Sequence, residues 1–162
     1  MSWDAAAVTR AEDLRLSSFT SLTAHALGEA IRAQIRKTHP TKGVIVQITA
    51  GASEQMLYFS TTGEGSLLDN KVWAARKWRS VVRFGRSTAS LNLKWPEGKA
   101  PSVYAAPENE YAFHGGGFPL RVKGVEPIVG VVVVSGLKQE EDHQAIVDVL
   151  EKFIADGEPV EE

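Results

Sequence analysis

The chain has 162 residues, 43% of them apolar and 23% charged, with a net charge of -2. That length suits one domain with a core of its own, without metal or disulfide support. The absence of cysteine excludes disulfides, thiolate catalysis and cysteine-based zinc sites, and the charge balance gives no global basis for nucleic-acid binding.

The opening "MSWDAAAVTRAEDLRL" lacks the basic start and long apolar run of a secretory signal. We therefore expect residues 1–18 to be an N-terminal extension and the protein to be cytoplasmic. From Phe19, apolar residues recur at Leu22, Ala26, Ala30, Ile31 and Ile35, the spacing of one helix face. Ser18 or Thr20 supplies the cap, and "KTHPTKG" closes the helix with basic residues and a proline. "GVIVQITA" and "EQMLYFS", separated by "AGAS", predict a β-hairpin.

After the loop "TTGEGS", Ser66 and Asp69 have capping-box spacing ahead of a helix from about Leu67 to Arg79. Gly85 breaks the following "VVRFGRST", and a short second helix is expected from Ser87 to Lys94. Residues 95–110, with three prolines and a glycine, predict a long loop. Strands are expected over 118–123 and 128–134, with Pro119 placing the first near an edge. The run "IVGVVVV" is the most apolar segment and far too short for a membrane span, so no membrane is expected. The last helix begins soon after Gly136, with a buried stripe at Ile146, Val149, Leu150, Phe153 and Ile154, and 156–162 form an acidic tail. Paired hairpins with flanking helices give an α+β class: a single domain over 19–155 whose antiparallel sheet is flanked by helices.

Three segments are candidates for chemistry. In "FHGGGFP", Gly115, Gly116 and Gly117 stand beside His114, which could ligate a metal, bind a carboxylate or titrate near neutrality. The glycines leave room for a flat ligand or for another subunit. In "VVVVSGLKQEEDH", a strand-to-helix turn at Ser135–Gly136 offers backbone N–H groups to an anion, although Glu140, Glu141 and Asp142 compete for that helix end. His143 falls on a face read as solvated or interfacial. In "RKWRSVVRFGRST", five cations lie within eleven residues, read mainly as a charged outer helix face, with Arg83 or Arg86 as an alternative anion fork. No serine elbow, Walker loop or zinc-protease helix is present, so no catalytic residue is assigned.

Taken together, Gly116, Gly117 and Pro119, the glycine-containing strand ending in Ser135–Gly136, and Asp142 resemble the haem-degrading-domain (GlcG/HbpS-like) family. Lys77, Phe84, Gly85 and Thr88 resemble that family's middle helix, and the similarity covers residues 20 to 155. "EYAFHGGGFPL" and "SGLKQEEDH" are closer still to one subfamily, found in bacteria and fungi. The chain has Leu137 where the broad family has a second glycine after Ser-Gly. The resemblance implies a profilin-like antiparallel sheet, assembly into a homodimer or larger ring, and haem as a candidate ligand, with His114 or His143 as axial candidates.

The leading expectation is a non-catalytic homo-oligomer that binds haem or another flat anionic molecule. Its site would use His114, Gly115, Gly116, Gly117, Ser135, Gly136 and Arg83 or Arg86. A haem-degrading enzyme and an assembly or adaptor protein without a small ligand are the alternatives. No nucleic-acid partner is expected.

Overall fold

Continuous burial of two central strands sets the architecture of the computed structural model, which describes residues 3–157. Strands β1 (Val44–Ala50) and β4 (Gly130–Ser135) are the centre of a four-stranded antiparallel sheet, with β2 (Met56–Thr62) and β3 (Gly117–Leu120) at its edges, in the order β2-β1-β4-β3. Val44, Val46, Ile48, Val132 and Val134 pack toward helices α2 (Ser21–Thr38) and α5 (Gln139–Ala155). Their neighbours Ile45, Val131 and Val133 pack toward helix α3 (Leu68–Phe84). Helices therefore cover both faces of the central strands, which explains why these read as unbroken apolar runs. The α+β class and antiparallel sheet flanked by helices are as expected.

Helix ends differ from expectation in instructive ways. Thr20 caps α2 in a reciprocal pair: its hydroxyl accepts from the Thr23 N–H (3.3 Å), and the Thr23 hydroxyl accepts from the Thr20 N–H (3.1 Å). The buried stripe of α2 runs through Ala24, Leu27, Ile31 and Ile35, so Leu22 lies outside it, exposed. Helix α3 starts one residue later than its expected box, with the Leu67 N–H donating to Asn70 Oδ1 at 2.9 Å. It continues through Val81, which is buried against the sheet, and ends at Gly85 in the left-handed region. Strand β3 stops at Leu120 because the next residues turn to the N-terminal segment: the Leu16 N–H donates to Arg121 O, and the Lys123 N–H to Leu16 O.

Residues 3–18 pack on the domain rather than trailing from it. Asp4 caps helix α1 (Ala5–Ala11), and Glu12 Oε1 accepts from the N–H of Ser87 and the hydroxyl of Ser90 at the start of helix α4 (Thr88–Lys94). Of the expected acidic tail, residues 158–162 lie outside the described residues. The long loop is held by an aromatic web: Phe84 makes edge contacts with Trp95, Tyr104, Tyr111 and Phe113. Cations of α3 clamp its carbonyls, Arg76 on Tyr111, Arg79 on Glu110 and Arg83 on Tyr104 and Ala105.

His143 departs from the solvated position expected for it. It is 2% exposed, edge-on to Trp3 and close to Phe118, with Nδ1 buried and without a partner. The N-terminal segment that supplies Trp3 had no visible role in the sequence, which is why that helix face read as open. Burial pushes the imidazole down to about 4. The unfolded chain therefore binds a proton between about pH 6.5 and 4 that the folded chain refuses, and His143 costs stability as pH falls through that window. Replacing it by phenylalanine removes the cost. In urea titrations, the stability of His143→Phe relative to wild type should rise on going from pH 7 to pH 4; a pH-independent difference would refute the assignment.

Candidate functional site

Two charged residues occupy positions that their own helices assign to the core. Lys77 falls in the buried stripe of α3 between Ala74 and Val81, and Asp142 falls in that of α5 ahead of Ile146. The helices lie on opposite faces of the sheet, and the two side chains meet at the end of β4. Lys77 Nζ is 3.0 Å from Asp142 Oδ2 and donates to Val134 O at 3.1 Å. Asp142 Oδ1 accepts from the Leu137 N–H at 3.0 Å, and the Gly136 N–H also bonds this carboxylate. The lysine is 3% and the aspartate 2% exposed. Burial pushes the Asp142 carboxyl up to about 6, and the Lys77 charge with the two backbone donors only partly offsets it.

The glycine triplet packs where the chain closes on itself, and Gly116 makes room for this pair. A Cβ on Gly116 would lie 2.3 Å from Val134 O, 2.7 Å from Lys77 Nζ and 3.0 Å from Asp142 Cβ, and its φ of 126° is itself closed to other residues. Gly115 and Gly117 are crowded in the same way, by Gln139 O and by the Val81 side chain. All three are buried behind the ion pair and outside the adjoining cavity's lining.

That cavity, of about 280 Å³, is lined by Trp73, Lys77, His114, the Ser135–Leu137 turn, Gln139 and Asp142, with Asp69 and Asn70 at its α3 side. His114 stands edge-on to Trp73, whose other neighbour is the Arg76 guanidinium, 4.2 Å from the ring centroid. Burial, then the charges of Lys77 and Arg76, hold the His114 imidazole below its ordinary range, so it is neutral at pH 7; its Nδ1 is buried without a partner. The Gln139 amide oxygen accepts from the Gly115 N–H (3.1 Å), and that of Asn70 accepts from the Leu67 N–H. Each amide is left with its NH2 group as a donor.

Of the expected site residues, His114, Ser135 and Gly136 come together here. The turn N–H groups expected to meet an anion are taken by Asp142 instead. Arg83 holds the loop carbonyls, Arg86 is exposed beyond the end of α3, and neither lines the cavity. Lys77, Asn70, Trp73 and Gln139 were not expected as site residues. A lysine and an aspartate on the buried faces of two helices were the available signal for the pair.

The fold and this junction define a helix-flanked antiparallel-sheet domain with a polar cavity where two helix layers meet. The family model "Haem degrading protein HbpS-like" matches residues 19–151, and the chain belongs to that family. A UPF0303 protein of Psychromonas ingrahamii is 36% identical over 144 residues, covering 88% of this chain and 87% of its own. UPF0303 protein YBR137W of Saccharomyces cerevisiae is 34% identical over 138 residues, covering 85% and 76%. The crystal structure of Ybr137w superposes with a TM-score of 0.87 at 32% identity, covering 94% of this chain and 89% of that one. HbpS (TM-score 0.65, 21% identity, covering 88% and 94%) and a PduOC–haem complex (0.66, 18%, covering 83% and 94%) share the fold. Among the described residues, no helix is long and apolar enough to cross a membrane, and no cluster of three or more His, Asp or Glu could hold a metal ion.

Gly116→Ala should cost roughly 3 kcal/mol, combining overpacking with backbone strain. Gly51→Ala, where φ is 54° and no atom lies within 4 Å of the new Cβ, should cost only about 1 kcal/mol. Urea midpoints of the two variants measure the difference, and equal losses would remove the packing role of Gly116.

Proposed function

We propose that this protein is a homo-oligomeric binding protein for a small carboxylate, held in the cavity beside His114. The carrying observation is the donor set: both cavity amides have their oxygens tied to backbone N–H groups, which leaves their NH2 groups for a ligand's acceptors. Lys77 and Asp142 cancel each other, His114 is neutral, and the remaining charge of the lining, Asp69, lies at the exposed rim, so hydrogen-bond donors rather than positive charge select the ligand.

Haem is the ligand that the family description and the PduOC complex bring to this chain. The residues present do not fit it inside the cavity. The volume lies just below the usual range for ligand pockets, the walls are largely polar, and His143, the second axial candidate, is 2% exposed and outside the lining. A smaller acid fits.

Self-association has its own support. Helix α3 lies over β3 and β4 and leaves β2 uncovered, so Met56 and Phe59 are exposed alongside Leu68 (80%) and Val72 at the start of α3. Glu54 and Lys71 flank this patch, and one charge of each sign lets it face a second copy about a two-fold axis.

Succinate titrated calorimetrically should bind saturably. Gln139→Glu keeps the oxygen for Gly115 but sets a carboxylate where the donor stood, and should weaken binding at least tenfold without unfolding the protein. A saturable Soret shift with haemin, lost in His114→Ala, would overturn the small-acid reading. In light scattering, Phe59→Glu with Leu68→Glu should reduce the assembled mass; an unchanged mass would move the interface elsewhere.

A further inference from the structure

The cavity floor carries a primary amine that simple acid binding does not need. Lys77 Nζ has three protons; two lie on Asp142 and Val134 O, and the third has no partner among the described residues. A buried ion pair is a poor source of stability, since dehydrating both charges offsets most of their attraction. This pair is not sealed in the core, because both members line a cavity whose α3 side is exposed at Asp69. The backbone beside Nζ has no side chain, at Gly116. The neutral imidazole of His114 lines the same cavity, and Gln139 and Asn70 supply amide donors from its rim.

We propose that Lys77 captures small oxo acids as an imine, with the ligand carboxylate on the amides of Asn70 and Gln139 and its carbonyl carbon at Nζ. The proposal rests on the small-carboxylate reading and narrows it to acids that also carry a ketone or aldehyde. The step balances within the site. The ammonium of Lys77 gives a proton to Asp142, and the freed nitrogen lone pair forms the C–N bond while the carbonyl π electrons move to oxygen. A proton passes from nitrogen to that oxygen through His114, giving a neutral carbinolamine. Asp142 then returns its proton to the hydroxyl, the C–O bond breaks, water leaves, and the protonated imine remains opposite the Asp142 carboxylate. The net change is one carbonyl and one ammonium to one iminium and one water. A carboxyl raised by burial suits the part of Asp142, which must accept and return a proton.

The test is reductive trapping. The full chain is incubated with pyruvate and sodium cyanoborohydride at pH 7, then digested and mapped by mass spectrometry. The expected result is one carboxyethyl adduct (the reduced pyruvate imine) on Lys77, suppressed by excess succinate and formed at least tenfold more slowly in His114→Ala. Labelling confined to exposed lysines such as Lys42 and Lys99 would overturn the proposal. If succinate still binds while Lys77 stays unlabelled, imine formation fails and the carboxylate site stands; if neither occurs, both fail. Lys77→Met, the control for site assignment, is checked by circular dichroism, but the adduct map on the wild-type chain decides without it.

Discussion

The Lys77–Asp142 pair is the constraint around which this fold closes. It joins α3, on one face of the sheet, to α5, on the other, at the end of β4. Each charge is compensated by more than its partner: the ammonium by Val134 O, the carboxylate by the N–H groups of Leu137 and Gly136. Removing either partner would leave a buried charge facing several dipoles aimed at its absent mate, a far larger penalty than the net worth of the pair. The turn after β4, the start of α5 and the glycine segment before β3 are therefore mutually dependent.

This arrangement alters the electrostatic meaning of the start of α5. A helix N-terminus with free N–H groups is an anion site, and here the helix supplies its own anion in Asp142. A second acid, Glu141, accepts from the Lys138 N–H. What remains for a ligand is a set of neutral donors around an internally cancelled ion pair, with the Asp69 carboxylate at the exposed rim. Such a cavity discriminates by hydrogen-bond geometry and is less sensitive to salt than an arginine cluster would be.

Much of the fold was legible because its signals are local. The valine run of β4, the cap at Thr20 (one of two candidates) and the helix start at Ser87 depend on a few neighbouring residues. So did the hairpin of β1 and β2, and the stripe of α5 at Ile146 and Leu150. The site was legible only in part. His114, Ser135 and Gly136 were singled out as unusual neighbours, but Lys77 and Asp142 are 65 residues apart; both matched the family's motifs, yet one otherwise read as part of a basic surface and the other as helix-start chemistry, so nothing paired them. The glycines at 115–117 were marked as a place of close approach, yet what approaches is the chain itself: the ion pair at Gly116, Gln139 and Trp3 at Gly115, Val81 and Thr88 at Gly117. His143 was misread because Trp3, its cover, comes from a segment with no long periodic pattern.

The start of α3 serves two surfaces at once. Asn70, Trp73 and Lys77, spaced three and four residues apart, turn one face of the helix toward the cavity, while Leu68 and Val72 turn another toward solvent beside β2. A subunit docked on Leu68 and Val72 would thus hold the same helical turn that carries the cavity's Asn70 donor. The coupling needs no moving domain: the Leu67 N–H that fixes the Asn70 amide belongs to the exposed apolar rim, so immobilising that rim also fixes the amide. Assembly would then reduce the entropic cost of ligand binding by ordering the donor in advance, and ligand binding would favour assembly by the same free energy.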